Sequence, residues 1–333
     1  MDNKNACEPA FTEFSRTEKI ILSVWYGTAG LAALVGNAVV FCLIARHRSL
    51  RTISNLFLTS LAAADLWVGF VIAPVWILVR CLYSDREHVH VYVLTIDYLW
   101  IHTTVATTFN LCCVTLDRNI AIFHPLRYQD ILTKKRCYSV IASVWFMSLV
   151  LPCSRFFVED SSAILALWMS FTVITVLIPM FIITVSSVWI LKTAAEQCKR
   201  MTAANADLSR NQEAFKRGIR TLKATRTVGI VVGLFVVCWL PSLVTSLVNY
   251  FMPSGHCGHF YYYNSVWPWV EAAAFTSSGV NPWVYCLRNE DFYEALIRSF
   301  RYLRIKADHN HFHLRANPVW NWVNADVDCH VVV

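Results

Sequence analysis

The run Asn110-Leu-Cys-Cys-Val-Thr-Leu-Asp-Arg-Asn-Ile-Ala-Ile-Phe-His-Pro-Leu-Arg-Tyr128 begins inside a long apolar segment and leaves it through Asp117-Arg118. A charged pair at the end of a membrane-length helix is unfavourable unless water, headgroups or a partner protein meets it there. A lone arginine would only mark the membrane boundary. Here it has an acidic neighbour and leads into His124-Pro125-Leu126-Arg127-Tyr128. The surrounding chain suits a membrane reading. Of its 333 residues 56% are apolar and 15% charged, and the mean hydropathy is +0.45. Such values indicate a polytopic membrane protein. The first 19 residues carry Asp2, Lys4, Glu8, Glu13, Arg16, Glu18 and Lys19 and do not form a secretory signal.

Seven segments satisfy the length rule of about 20 apolar residues per spanning helix. They lie near 20–45, 53–79, 91–122, 137–156, 163–191, 225–251 and 265–287. The expected fold class is an all-α seven-helix membrane bundle followed by a short amphipathic helix. Its parts are an extracellular N-terminus (1–19), the seven-helix domain (20–287), the amphipathic helix (288–306) and a cytoplasmic tail (307–333). Basic residues fix the orientation. Arg46, Arg48 and Arg51 follow the first span, and Arg127, Lys134, Lys135 and Arg136 follow the third. A longer basic run from Lys192 to Lys223 joins the fifth and sixth, while the alternate loops are nearly neutral. The positive-inside rule therefore puts the N-terminus outside and the C-terminus inside. In the amphipathic segment Asn289 caps, and Phe292, Leu296, Phe300 and Leu303 form the stripe that lies on the inner leaflet of the lipid bilayer.

Further features recur in order along the spans: Gly36-Asn37, Leu61-Ala-Ala-Ala-Asp65, Trp145, Pro179, Cys238-Trp239-Leu240-Pro241 and Asn281-Pro-Trp-Val-Tyr285. Each alone is weak, since a membrane proline can be a tolerated kink and an asparagine a neutral hydrogen bonder. Taken together with Asp117-Arg118-Asn119, the pattern resembles rhodopsin-like (class A) G-protein-coupled receptors across almost the whole membrane portion. The resemblance implies a receptor that binds an extracellular ligand and activates a heterotrimeric G protein through Asp117, Arg118 and Asn119. It also implies an activation switch at Trp239, Pro241, Asn281, Pro282 and Tyr285. Asp65, with Thr107, Ser278 and Asn281, would hold a bound sodium ion that stabilises the inactive state. A protonated Asp65 bonded to Asn37 is the alternative. No catalytic constellation, metal cluster or nucleic-acid partner is indicated, so the chain is not expected to be an enzyme.

Departures narrow the reading. Asn119 stands where the family has tyrosine, and no acid occupies the start of the sixth span, where Thr221 or Lys223 would sit, to latch Arg118. Ligand-free activity is therefore expected. Val93 replaces the usual disulfide cysteine of the third span, and the connection after the fourth is only about 157–162. These two features resemble the melanocortin branch, but Pro179 and the intact Asn-Pro-x-x-Tyr motif do not. Aminergic members place an aspartate where this chain has Trp100. Retinal is excluded because Phe275 replaces the Schiff-base lysine. A receptor-like protein that traps ligand or pairs with another receptor without signalling is the alternative to G-protein activation.

Helical spacing puts Trp100 five turns above Arg118, with Asp97, Thr104, Thr107 and Leu111 near the same line. A polar stripe on an apolar helix faces the bundle interior. The candidate ligand site is Asp97, Trp100, Thr104, Phe171, Trp267, Glu271 and Phe275. Two carboxylates in one low-dielectric cavity repel, so one is protonated or both share a cation. Arg80 and Arg155 lie at helix ends, from which long basic side chains turn out to the headgroups. The expected ligand is cationic, an amine or a basic peptide. A protonated Glu271 bonded between helices is the alternative. Most of the twelve cysteines sit in apolar runs as packing groups. Cys7 and Cys257 are candidates for an outer disulfide, with Cys81 and Cys153 as competitors.

Overall fold

The computed structural model describes residues 14–82, 89–124, 126–204, 212–251, 265–289 and 291–302. Helix α1 (Arg16–Arg46) begins at Ser15, whose hydroxyl accepts from the Glu18 amide while the Glu18 carboxylate accepts from the Ser15 amide. This capping box satisfies two amide donors otherwise left without a partner, and it starts the helix four residues before the apolar run. Helix α2 (Ile53–Leu82) is capped by Thr52 and α4 (Lys134–Phe157) by Thr133. Between α2 and α4, α3 runs Val89–Phe123. Helix α5 is α-helical over Ser161–Phe171, π-wound over Thr172–Leu177 and α-helical again over Ile178–Ala204. Helices α6 (Gln212–Phe251) and α7 (Trp267–Arg288) follow, and α8 spans 291–302.

Two π-wound stretches lie just before prolines. Val68–Ile72 precedes Pro74 in α2, and Thr172–Leu177 precedes Pro179 in α5. Proline lacks an amide hydrogen and its ring crowds the carbonyl four residues back, so the preceding turn widens to accommodate it.

Six of the helices are long and apolar enough to cross a membrane. The seventh, α7, falls short because it carries Glu271, Ser277, Ser278 and Asn281, all buried in the bundle. Its polarity is turned inward, so the seven-helix arrangement expected from the sequence stands. Helix α3 threads the centre, touching α2, α4, α5 and α6, and 72% of its most apolar stretch is buried, against 22% for α4. Outward-facing Phe70, Phe181, Trp189 and Val237 supply the apolar belt that a lipid surface requires.

Helix α1 lies close against α2 and α7 through small residues. A β-carbon on Gly69 would stand 2.5 Å from the Gly30 carbonyl oxygen, and one on Gly36 would stand 2.8 Å from the Pro282 ring. Helix α8 is anchored by buried Phe292, by a 3.0 Å contact between His47 Nε2 and Ser299 Oγ, and by Arg46 over the Tyr302 ring. Asn289 Oδ1 accepts from the Asp291 amide at its start. Leu296 packs against the core and Phe300 is exposed, while Leu303 and the tail lie outside the described residues.

Candidate functional site

The inward stripe of α3 is buried along its whole length: Asp97, Trp100, Thr104, Thr107 and Leu111 are each 5% exposed or less. Trp100 is the centre of an aromatic floor. Its ring lies 5.6 Å from Trp239, 5.5 Å from Trp267 and 5.7 Å from Phe275. Beside this floor a narrow cleft opens between α3, α5, α6 and α7. Four of the expected ligand-site residues line it: Trp100, Thr104, Phe171 and Trp267. Trp168, Thr172, Thr175 and Ser242 also line it and were not singled out from the sequence. For Thr172 and Thr175 the signal was the polar spacing on α5, which the π-wound turn shifts out of ordinary helical register. The cleft continues into a cavity of about 60 Å³ bounded by Trp168, Thr245, Ser246, Asn249 and Trp267.

Asp97, Glu271 and Phe275 do not line this cleft. Phe275 packs under Trp76 and Trp100. The two acids sit at the outer end of the bundle, and here the structure corrects the sequence reading. Arg80 and Arg155 do not turn out to the headgroups. Arg80 Nη2 lies 3.0 Å from Glu271 Oε1, and Arg155 Nε lies 2.8 Å from Asp97 Oδ2. Inside a bundle that excludes water, an arginine facing an acid removes two uncompensated charges at once. Tyr26 donates to the Pro268 carbonyl at 2.6 Å and to Glu271 at 3.4 Å. Glu271 is thus bonded between helices, to Tyr26 of α1 and to Arg80 of α2.

Below the floor, Asn281 Nδ2 donates to Asp65 Oδ2 at 3.0 Å. Asp65 Oδ1 and the Thr107 hydroxyl are buried with no partner among the described residues. Asn37 does not reach Asp65. Its amide donates instead to the Ala33 and Ser278 carbonyls. The Trp239 indole donates to Ser277 at 3.4 Å, and Pro241 and Pro282 lie inside α6 and α7. The Tyr285 side chain lies outside the described residues.

At the inner end, Arg118 turns back onto Asp117 and the Ser54 hydroxyl. Ser54 also donates to Asp117 Oδ2 at 2.7 Å, and Tyr128 donates to Oδ1 at 2.7 Å. The arginine therefore has an acidic partner on its own helix. Asn119 is half-buried beside this cluster. The side chains of Thr221 and Lys223, where a latch from α6 would sit, lie outside the described residues. So do Cys7 and Cys257. Cys81 and Cys153, the competing pair, are free thiols.

The family model described as "7 transmembrane receptor (rhodopsin family)" matches residues 36–164 and 152–285. The human (Homo sapiens) 5-hydroxytryptamine receptor 4 is 28% identical, with 89% of this chain and 84% of that protein covered. The octopamine receptor beta-2R of Chilo suppressalis is 27% identical, covering 80% and 75% respectively. The trace amine-associated receptor 7e of Rattus norvegicus is 25% identical, covering 85% and 83%.

Proposed function

Because the chain belongs to the rhodopsin family of seven-transmembrane receptors, we propose that its outer cleft receives an amine and that Arg118 engages a heterotrimeric G protein. The protein is a multi-pass membrane receptor and not an enzyme. The observation that carries the reading is the continuous buried column on α3. It touches the cleft at Trp100 and Thr104, passes the Asp65–Thr107 region, and ends in the Asp117–Arg118–Ser54–Tyr128 cluster. A ligand that binds one arrangement of the bundle more tightly than another shifts its population. Trp239 shares the floor with Trp100 and lies two residues before Pro241, so the bend in α6 is the element such a ligand would bias. The N-terminus is assigned outside and the C-terminus inside from the basic inner loops.

The ligand class draws on relatives named for 5-hydroxytryptamine, octopamine and trace amines. With Trp100 in place of an aspartate, indole faces at Trp100 and Trp267 offer the ammonium group cation–π contact. A sodium ion fits the Asp65 region. The partnerless Asp65 Oδ1 and Thr107 hydroxyl, with Ser278 and Asn281, are oxygens of the kind a hard cation takes. Such an ion would supply a positive charge to a buried carboxylate.

The test is guanine-nucleotide exchange by purified receptor in lipid nanodiscs with a panel of heterotrimers. Serotonin, octopamine and tyramine are the probes. Stimulated exchange that is lost in Arg118→Ala supports the reading. Binding without exchange on any heterotrimer would instead favour a receptor-like protein that holds ligand without signalling.

A further inference from the structure

The cleft and the cavity it opens into share two indoles. Trp168 of α5 and Trp267 of α7 line both, so they form the passage between them. Trp267 stands edge-to-face against Trp100, with ring centres 5.5 Å apart and planes at 68°, so these two rings make adjoining walls of a box. Phe171, one turn on from Trp168, adds another wall. Among the described residues no acid or base lines either space. Thr104, Thr175 and Ser242 border the cleft and not the cavity, so their hydroxyls lie on the inner side. Thr104 donates to the Trp100 carbonyl at 2.8 Å and Thr175 to the Phe171 carbonyl at 2.7 Å, which leaves each oxygen able to accept. The cavity presents an almost wholly apolar surface even where Thr245, Ser246 and Asn249 border it.

That lining decides how a cation can be held. A primary ammonium is a compact, strongly hydrated charge with three N–H donors. Between walls that hold no carboxylate it exchanges its water for neutral hydroxyl oxygens alone, and each donor left unpaired on burial is costly. Every methyl group placed on the nitrogen removes one donor and adds apolar surface. A trimethylated ammonium keeps the charge with no donor at all, and aromatic faces within about 6 Å suit such a cation. At about 60 Å³ the cavity beside Trp168 and Trp267 has several times the room one water needs. A methyl group buried there is worth about fourfold in affinity. The aromatic ring of the ligand then lies inward over Trp100, with a polar edge toward Thr104, Thr175 and Ser242.

We propose that the receptor's ligand is an aromatic amine methylated on nitrogen, a tertiary or quaternary ammonium, and that Trp168 and Trp267 form the box that selects it over the primary amine. The inference rests on reading the cleft as an amine site and names the kind of amine it takes.

Two methylation series test it: tyramine and serotonin, each with its N,N-dimethyl and N,N,N-trimethyl derivatives, on purified receptor in lipid nanodiscs. Thermal stabilisation and nucleotide exchange are the two readouts. In the wild type, a methylated member of at least one series should act at tenfold or more lower concentration than its primary amine. Replacing the trimethylammonium group by tert-butyl keeps the shape, removes the charge and should weaken action at least tenfold. Trp168→Leu should erase the preference, with the methylated amine losing at least tenfold. Trp168→Phe, which keeps an aromatic face, should retain the wild-type order and controls for misfolding. Primary amines that match or outrank their methylated derivatives on the wild type overturn the inference while leaving the amine-receptor reading in place. A preference untouched in Trp168→Leu overturns the box. A tert-butyl analogue as active as the cation overturns the inference too, because the box would then hold apolar volume only. A wild type unmoved by every amine overturns both readings. Stabilisation by a methylated amine over its primary partner, without exchange on any heterotrimer, supports the box and counts against G-protein coupling.

Discussion

Arg118 is a permanent cation held by groups on α2 and α3: Asp117 beside it and the Ser54 hydroxyl. None of these ties crosses to α6, so outward movement of α6 would leave the arginine's partners intact. Its five donors suit carbonyl oxygens of an incoming helix. Arg118→Ala is expected to abolish exchange while sparing ligand binding and surface expression; normal exchange by that variant would remove Arg118 from the coupling site. Tyr128 bears on the same cluster through its 2.7 Å bond to Asp117. Burial and the neighbouring Asp117 carboxylate both push its hydroxyl well above the usual tyrosine range, so it stays a donor at any physiological pH. A hydrogen bond to a charged group contributes about 1.5–3 kcal/mol. Tyr128→Phe should therefore loosen Asp117 and raise ligand-free exchange by about tenfold, and unchanged basal exchange would show that the bond does not restrain Arg118. At the outer end, truncating one member of a buried charge pair costs about 2–5 kcal/mol. Asp97→Asn and Glu271→Gln should each lower the melting temperature of the purified receptor, and two variants that melt with the wild type would show that these contacts do not hold the outer end of the bundle together.

Helix packing at the next scale depends on places where a side chain is missing. Helices α1 and α2 approach so closely at Gly30 and Gly69 that a β-carbon on Gly69 would meet two α1 backbone atoms, the Gly30 oxygen at 2.5 Å and the Leu34 nitrogen at 2.7 Å. Backbone cannot swing aside as a long side chain can, so the helices must part. Overpacking of this kind costs about 1–3 kcal/mol. Gly69→Ala should lower the melting temperature of the purified receptor, whereas Gly233→Ala, where a β-carbon meets nothing within 4 Å, should not. A Gly69→Ala receptor that melts with the wild type would mean that α1 yields freely. The spans themselves were legible because a membrane segment is set by length and apolarity, and each observed helix contains its expected run or lies within two residues of it. Their ends were less so. The start of α1 is fixed by the Ser15–Glu18 box, four polar residues outside the hydrophobic signal. The π-wound turns ahead of Pro74 and Pro179 leave no compositional mark beyond the proline itself.

For the molecule as a whole, the line from Trp100 to Arg118 could be read from helical spacing, since a regular helix repeats its faces. The cleft wall on α5 and the inward turn of Arg80 and Arg155 could not. The first depends on an irregular turn, and the second on a choice between lipid headgroups and a buried acid that only the assembled bundle decides. Between those two ends lies Asp65, with one oxygen bonded to Asn281 and the other buried with no hydrogen-bond partner among the described residues. A sodium ion there would join α2, α3 and α7 in a single coordination sphere and favour the arrangement in which they are drawn together. Because the described contacts of Arg118 leave α6 unlatched, the inactive state should depend strongly on that ion. Coupling between two sites of this kind typically spans about 5–150-fold. Replacing N-methylglucamine by sodium should therefore lower ligand-free exchange of the wild type by about fivefold or more. Asp65→Asn, which keeps the size and one acceptor but removes the charge, should show the same exchange in both salts. Equal wild-type exchange in sodium and in N-methylglucamine would exclude the ion from this site and leave Asp65 as a hydrogen-bond partner of Asn281 alone.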